Sequence, residues 1–553
     1  MNTKPNARER LLYLFSPKRG NDAYNERLRK ERASEAASES KRANTGPRMS
    51  YGSHGASGTL NSLVGWIVDA GNAEDNIDLQ SSKLRQRARD LFEGGGLARS
   101  GPETLTTSVV GWGIQPKPKL DGGFLKLSDE KREQAEQAIL REWKLWAENT
   151  MCDAERQQNF YGLQQLAFLS MLMSGDVFAL FGMKPNNRTP YQTTIRLLEA
   201  DRICNPDSSG DSESRESDSG GRIIDGVEID KEGAVVRYHI ASRSPIAGND
   251  NSELTWQSID AYGKDTGYPN ILHIMTWERP EQRRGIPFVS AEIELIKQFT
   301  RYMSAELAGK VVSAMLTLFI TSKEDDGKAG MEDAVNEDEK VTDDELKLEL
   351  APGAIYDLPP GKDVTTVDPK RSDTQFESFV NTCITVIASS MGIPKEVLIK
   401  KYESNYTAAR AALLDFWRTV RVYRTRFNTA FNQPIYEQWL AEAVAAGRIE
   451  APGFFDDPAV RLAWCGCSWM GASMGHVDPL KEVNAAAMRI ANNITTEEQE
   501  AMEYNGNDRS AIVRQRRKEI AERKEMSGEE ATKSATKSVD SDEKEDEEKD
   551  AEK

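Results

Sequence analysis

Apolar positions recur at helical spacing through the first part of the chain. The pattern predicts a helix that ends at the glycines Gly94–Gly96, and a second helix from Ala98 to Val109. A third helix is predicted to begin after an N-cap at Ser128. The apolar run FYGLQQLAFLSMLMSGDVFALFG, residues 160–182, is predicted as one further helix.

Segments that are rich in β-branched and aromatic residues lie beyond these helices. They predict strands in TTIRLLEADRI, RYHIASR and ILHIMTWE, at residues 193–203, 237–243 and 271–278. His239 and His273 lie in two of these strands, where a packed or hydrogen-bonded role is favoured over a catalytic one. Residues 206–222, rich in Ser, Asp and Gly, predict a surface loop. The first half is therefore expected to be an α+β body.

Long helical patterns dominate the second half. An amphipathic helix is predicted over residues 289–314, just after Pro287, and another over residues 373–392. A third is predicted from 407 to 433, with a kink at Pro434. The spacing alone does not distinguish helices that pack within one subunit from helices that pack against another copy.

The ends of the chain and one internal segment have a different composition. Residues 322–349 contain 12 acidic and 4 basic residues, which is typical of a solvated, flexible insertion. Residues 527–553 are of low complexity, with 11 acidic residues and 5 lysines, and predict a disordered tail. Residues 1–50 are polar and basic and predict a flexible arm.

Composition limits the classes of function. The 553-residue chain has a formal net charge of −17, so it lacks the broad basic surface of a protein that coats nucleic acid. Its longest nearly apolar run, residues 311–320, is too short to span a bilayer. Residues 1–20 lack the apolar core of a signal peptide. We therefore expect a soluble, non-secreted protein with no membrane segment.

Motifs that would indicate catalysis are absent from the sequence. There is no Walker A, G-x-S-x-G or H-E-x-x-H pattern, and the four histidines have no spacing typical of a triad or a metal site. Cys465 and Cys467, with His476 and Asp478 downstream, come nearest to a metal site, although reduced thiols on a strand or turn are favoured. We predict no catalytic residue, metal or cofactor, and a hydrolase or nuclease with an unrecognised site remains an alternative.

Five sequence blocks, in one order, resemble the lambda-type portal proteins of tailed bacteriophages. The resemblance extends from about Tyr51 to about Glu519, and Thr407 and Ala408 replace the serines that are usual in the fourth block. The acidic insertion and the tail depart from the family pattern. The blocks are LRQRARDLFEGGGLARSGPETLTTSVVGWGIQPKP, ERPEQRRGIPFVSAEI, LAPGAIYDLPPGKDV, MGIPKEVLIKKYESNYTAARAALLDFWR and GHVDPLKEVNAAAMRIANNITTEEQEAMEYNGND.

This resemblance implies a fold and an assembly. The expected fold class is α+β and predominantly helical, a portal fold with wing, stem, clip and crown that assembles as a cyclic ring, expected to be a dodecamer. The implied regions are an N-terminal arm (1–50), an α+β wing body (51–288), a first stem helix (289–314), a clip with the acidic insertion (315–372), a second stem helix (373–392), a tunnel loop (393–407), a long wing helix and wing (408–475), a crown-like helical region (476–526) and a disordered acidic tail (527–553).

Residues 393–427 are basic and aromatic in an otherwise acidic chain, and two roles are expected for them. Arginine side chains suit carboxylates on a neighbouring subunit, a role that is favoured here over contact with DNA. The candidates for this subunit interface are Arg410, Arg418, Arg421 and Arg424. Lysine, tyrosine and asparagine can contact phosphates without base specificity. The candidates for the tunnel loop that faces DNA are Lys395, Lys400, Lys401, Tyr402, Asn405 and Tyr406.

The implied function is that of a non-enzymatic portal in the virion, at the head vertex, through which double-stranded DNA is packaged and ejected. The implied partners are further copies of the chain, double-stranded DNA, the large terminase subunit, the major capsid and scaffold proteins, and a head–tail connector or adaptor. Assembly is expected in the host cytoplasm. The alternative is a structural virion assembly protein without a DNA channel.

Overall fold

The structure is a computed structural model, and the chain divides into two units, residues 1–72 and 73–553. Everything described below concerns the second unit. Except for their first residues, Ser322 and Ser527, the predicted acidic insertion and acidic tail lie outside the described residues, as do nearly all of the predicted arm and most of the predicted loop 206–222. The structure describes residues 71–206, 215–216, 221–245, 253–315, 319–322, 362–365, 376–402, 406–475, 479–506 and 509–527, with a few residues between 23 and 30.

Helices account for most of the described residues. Polar side chains cap several of them: the Ser128 hydroxyl accepts a hydrogen bond from the Lys131 N–H, as predicted. The α-helices are α1 (Ala73–Asn76), α2 (Ser81–Glu93), α3 (Leu97–Val109), α4 (Asp129–Ala147), α5 (Phe160–Ser174), α6 (Ile293–Met315), α7 (Phe376–Ser390), α8 (Lys395–Ile399), α9 (Tyr406–Phe427), α10 (Gln433–Ala445), α11 (Pro458–Trp464), α12 (Pro479–Ala491), α13 (Glu497–Asn505) and α14 (Arg509–Ser527).

Short strands form four antiparallel sheets within the described residues. The strands are β1 (Gln115–Pro118), β2 (Asp176–Met183), β3 (Thr193–Glu199), β4 (Arg215–Glu216), β5 (Arg222–Ile224), β6 (Val227–Ile229), β7 (Val235–Ala241), β8 (Trp256–Asp260), β9 (Ile271–Met275), β10 (Phe319–Ser322), β11 (Lys362–Thr365) and β12 (Cys467–Met470). The sheets have the orders β1-β12, β10-β11, β3-β2-β9 and β4-β5-β6-β7-β8. The three predicted strands correspond to β3, β7 and β9, so the mixture of helix and strand is confirmed.

The glycine triplet after α2 ends that helix, as predicted. Gly94 caps the helix, and Gly95 and Gly96 have φ angles of 80° and 65°. Residues with a Cβ adopt such angles only at a cost, so glycine lets the chain reverse between α2 and α3.

The prediction of one helix over residues 160–182 is wrong. Helix α5 ends at Ser174, and the rest of the apolar run is strand β2, which is buried over its first half. At the junction Gly175 has a φ of 92°, and a Cβ there would lie 2.5 Å from the carbonyl oxygen of Gly285. A buried strand and a buried helix both give continuous apolar sequence, so periodicity could not separate them.

The long helices of the second half follow the predicted pattern. A 3₁₀ turn at Ser290–Glu292 leads into α6. Helix α9 passes into a five-residue π-helical segment, Asn428–Asn432, before α10 begins with Pro434 in its first turn. The predicted kink thus takes the form of a π segment immediately before the proline, whose missing N–H breaks the regular hydrogen-bond ladder.

Two apolar cores lie within the described residues of the second unit. The larger lies among α3, α4, α5, α9 and α10, and contains Trp143, Phe160 and Trp439. The smaller joins β2 to the five-stranded sheet through Phe178 and Tyr238. Helices α12, α13 and α14 contribute no fully buried residue among their described side chains, although several of these side chains are half-buried.

Candidate functional site

The basic segment starts with a short helix, α8, that packs against α3. In α8 the side chains of Val397 and Leu398 are buried, as is Ile393 just before the helix. The Ser100 hydroxyl of α3 donates a hydrogen bond to the Leu398 carbonyl at 2.8 Å. These contacts hold α8 rigidly against α3, so the residues that follow it have a defined starting point.

A tight turn after α8 exposes two cations and an aromatic ring. Lys400 adopts a left-handed backbone with φ 56°, and its N–H donates to the Glu396 carbonyl. The N–H of Lys401 donates to the same carbonyl at 3.1 Å. Lys400, Lys401 and Tyr402 are all exposed. The turn therefore presents an exposed, positively charged surface on a buried anchor.

The other predicted tunnel-loop residues are placed differently. Lys395 is the first residue of α8, after Pro394 at the N-cap, and its side chain is half-buried. Lys395 therefore lies in a short helix and not in a loop, and its contact with DNA stays a prediction. Tyr406 begins α9, although its side chain is outside the described part, and Asn405 is outside the described residues. Of the six candidate tunnel-loop residues, the structure thus shows Lys400, Lys401 and Tyr402 side by side and exposed.

Three of the four candidate interface arginines form ion pairs within the chain. Arg410 lies 3.5 Å from Glu482 of α12, and Arg421 lies 3.4 Å from Glu503 of α13. Arg418 pairs at 3.7 Å with Asp415 of its own helix, and at 82% exposure it is the most accessible of these three side chains. Arg410 and Arg421 thus connect α9 to the carboxyl-terminal helices.

Arg424 is used inside the subunit. Its guanidinium donates to the backbone carbonyls of Ser108, Val109 and Ala472 at 2.8–2.9 Å, and it lies over the Trp417 ring. Burial, followed by repulsion from the nearby Arg421, lowers the pKa of Arg424 to about 10. This side chain ties the end of α3 and the segment after β12 to α9.

The most elaborate charged group of the described residues is a buried ionic network, here called the Arg284 cluster, which sequence reasoning missed. The fully buried guanidinium of Arg284 lies 2.7 Å from the Asp176 carboxylate and 2.8 Å from that of Asp225. It also donates to the carbonyls of Ala200, Ile203 and Asp225 at 2.7–2.8 Å. The members of the cluster are Asp78, Arg85, Arg89, Asp176, Asp201, Asp225, His273 and Arg284.

Two carboxylates of the cluster respond differently to burial. Desolvation disfavours the charge of Asp176, but Arg284 and His273 outweigh it and hold the pKa of Asp176 well below its usual range. Burial raises the pKa of Asp78 to about 6, although the backbone N–H groups of Arg284 and Arg283 partly oppose this shift. The only sequence signal for the cluster is the RRG motif before Pro287.

His239 has hydrogen bonds that resemble part of a hydrolase triad. Its Nδ1 lies 2.8 Å from the Ser258 hydroxyl, and its Nε2 lies 3.1 Å from the Glu228 carboxylate. His239 and Ser258 are direct partners across β7 and β8, and Glu228 of β6 is also paired with Arg237. These contacts join three neighbouring strands, which agrees with the predicted packed, hydrogen-bonded histidine.

Neither a metal centre nor a membrane span is found in the described part of the chain. No group of three or more His, Cys, Asp or Glu side chains there is arranged to hold an ion. Cys465 is buried, and burial raises the pKa of its thiol to about 12, whereas Cys467 lies on β12. His476 and Asp478 lie outside the described residues. None of the described helices combines the length and hydropathy needed to cross a bilayer.

Similar solved structures come from gene transfer agent (GTA) particles. A chain of the "Virion of native gene transfer agent (GTA) particle" is 15% identical, with a TM-score of 0.41, over 70% of this chain and 93% of that one. A chain of the "Neck of native GTA particle computed with C12 symmetry" is 12% identical, with a TM-score of 0.41, over 76% and 92%.

Sequence relatives and a family model cover most of the chain. Portal protein B of Escherichia phage lambda is 23% identical over 489 residues, which are 85% of this chain and 89% of the lambda protein. The portal protein of Escherichia phage N15 is 23% identical over 500 residues, 87% of this chain and 92% of that protein. The model of the phage portal protein, lambda family, matches residues 59–424. The chain therefore belongs to the lambda family of phage portal proteins.

Proposed function

We propose that copies of this portal protein close into a ring of twelve around a bore that passes double-stranded DNA without sequence specificity. Family membership over residues 59–424 supports this function. The observation that carries the DNA contact is the turn after α8, where Lys400, Lys401 and Tyr402 are exposed on an anchor that is itself buried. Lysines at such a turn provide phosphate contacts that form and break easily.

The charge of the chain suits a conduit through which DNA slides. Each phosphate that a protein neutralises adds affinity and salt dependence, so a bore lined with many cations would hold the duplex in place. Twelve copies with a net charge of −17 each carry roughly −200 in total, which repels the DNA backbone. A few lysines per subunit then act as local guides.

The remaining regions follow from the proposed ring. Helices α6 and α7 form the stem, the segment between them forms the clip where the large terminase docks, and α12–α14 form the crown. Arg418, the most accessible of the three ion-paired interface candidates, contacts a neighbouring copy. Scaffold and major capsid proteins meet the ring during assembly in the host cytoplasm, and a connector or adaptor joins it at the head vertex of the virion. The terminase supplies the ATPase activity.

The double variant Lys400→Ala/Lys401→Ala tests the DNA contact. We expect intact rings with lower DNA retention in assembled heads, because each lost phosphate contact lowers the affinity for DNA. The slope of log affinity against log salt concentration should also become shallower by about one for each lost contact. Lys131→Ala, an exposed lysine of α4, is the matched control. Unchanged retention would contradict the DNA role of the turn, and failure to form rings would assign the turn a structural role.

A further inference from the structure

A wide groove separates α4 from α14. Its volume is about 1330 Å³, and its apolar surface includes Leu145 and Ile520, which are 45% and 44% exposed. Its charged lining is almost entirely basic. The charged residues that line it are Arg141, Lys144, Arg514, Arg516, Arg523 and a single acid, Glu519. This surface, here called the basic groove, stands out in a chain of net charge −17.

The sequence beyond α14 has the opposite charge. Helix α14 contains seven Lys and Arg residues against three Glu. Residues 540–552 contain nine Asp and Glu residues against two Lys. A concave basic surface concentrates anionic partners through its electrostatic field. The nearest anionic partner along the chain is therefore this segment.

The intervening residues are long enough to bring the acidic segment back to the groove. Helix α14 has 19 residues and a length of about 28 Å. Residues 528–539 link it to the acidic segment, and twelve extended residues reach up to about 40 Å. The segment can therefore fold back along the whole of α14. A tether of this length gives the acidic segment an effective concentration of roughly millimolar at the groove. This concentration favours the segment over a free competitor.

We propose that the acidic segment 540–552 docks in the basic groove between α4 and α14. Carboxylates of the segment pair with Arg514, Arg516 and Lys144, and α14 is thereby held near α4. The docking does not depend on the proposed function. The docked segment would also prevent the groove from holding DNA phosphates. This consequence, unlike the docking itself, rests on the proposed function as a DNA conduit.

Zero-length carbodiimide cross-linking of the full chain tests the docking, because it joins a lysine amine only to a carboxylate in contact with it. At about 150 mM salt, where exposed charges more than a Debye length apart are screened, Lys144 should couple to residues 540–552. Lys131 is exposed on the same helix but lies outside the groove, so it is the matched control. We expect at least about five-fold more coupling at Lys144, because docking raises the local carboxylate concentration. Equal coupling at the two lysines would overturn the proposal.

Paired variants of α14 provide a second readout. Arg514→Gln/Arg516→Gln should reduce the Lys144 coupling at least about three-fold. The variant removes two ion pairs, each of which contributes modestly to the docking. Arg517→Gln/Lys518→Gln changes exposed residues of the same helix that do not line the groove, and it should leave the coupling unchanged. Equal effects of the two pairs would overturn the proposal. Equal coupling at Lys144 and Lys131, together with binding of a short DNA duplex that Arg514→Gln/Arg516→Gln weakens at the same salt, would assign the groove to nucleic acid and also overturn the proposal.

Discussion

Charged side chains hold two regions of this molecule together in opposite ways. The Arg284 cluster lies between α2, β2 and the loops after β3 and before α6, where Arg284 and Asp176 are fully buried and hydrogen-bonded. More exposed ion pairs join the carboxyl-terminal helices α12–α14 to β1, to α9 and to each other. These pairs are Arg410–Glu482, Arg421–Glu503, Lys117–Glu498, Arg489–Glu500 and Arg509–Glu497.

The difference follows from desolvation. A buried charge has lost its water, so removing its partner leaves an uncompensated ion at a cost of about 3–5 kcal/mol. An exposed pair exchanges its partner for water and contributes about 0–1 kcal/mol. The Arg284 cluster therefore enforces one arrangement of α2, β2 and the strands that surround it. The exposed pairs are expected to attach α12–α14 more weakly and in a salt-dependent manner.

The variant Arg284→Ala should have the largest effect. It leaves Asp176 and Asp225 buried without their principal partner, so the free energy of unfolding should fall by about 3–5 kcal/mol. Urea denaturation measures this loss. Arg283→Ala is the adjacent control, since its partly exposed side chain lies outside the cluster, and it should lose under about 1 kcal/mol. Equal losses would remove the distinction between the two regions.

The pH dependence of the stability contributed by Asp78 tests the same contrast between buried and exposed charges. Its pKa is raised to about 6 in the folded protein, above the ordinary value of 3.8, so folding favours the protonated form. Its stabilising contribution is complete below about pH 4 and is lost as the pH rises through about 6. Asp78→Asn keeps an acceptor for the N–H groups of Arg283 and Arg284 without this titration.

The stability of the Asp78→Asn variant relative to the natural protein should therefore increase between pH 4 and pH 6.5, by up to about 3 kcal/mol. Thermal or urea unfolding at a series of pH values measures the difference. Asp415→Asn, which changes a highly exposed carboxylate of α9 in the same way, is the comparison variant. A flat difference for Asp78→Asn would show that the buried cluster does not perturb this group.

The smallest effect is expected at an exposed pair. Glu500→Gln removes the carboxylate that lies 2.6 Å from Arg489, and should destabilise by under about 1 kcal/mol. The difference should disappear at about 1 M salt, where the Debye length is about 3 Å. Hydrogen exchange in α12 and α13 measures this local stability. An effect that persists at high salt would mean that these helices are held by packing.

Sequence patterns predicted most helices because caps and terminators act locally. The glycines after α2, the cap at Ser128 and the proline in α10 each act within a few residues, and the structure follows them. The resemblance of five sequence blocks to one family extended these local predictions to the order of regions along the chain. The prediction of one helix over residues 160–182 was wrong. The chain changes from α5 to β2 at Gly175, where it lies close to Gly285, a residue far away in sequence.

The candidate site was only partly predictable for the same reason. Arg424 follows Arg418 and Arg421 at intervals of three residues, and this spacing cannot show that carbonyls from α3 and from the segment after β12 surround Arg424. The Arg284 cluster gathers residues that are more than 200 positions apart, such as Asp78 and Arg284. Long-range contacts of this kind leave no periodic signal in sequence.

Electron-microscope images of the purified protein, classified by rotational symmetry, test the central proposal most directly. A portal that conducts DNA should appear as closed rings, twelve-fold in the proposed assembly. The bore of these rings must be wide enough to admit a DNA duplex. Solitary subunits under every assembly condition, or rings with a bore too narrow for a duplex, would contradict it.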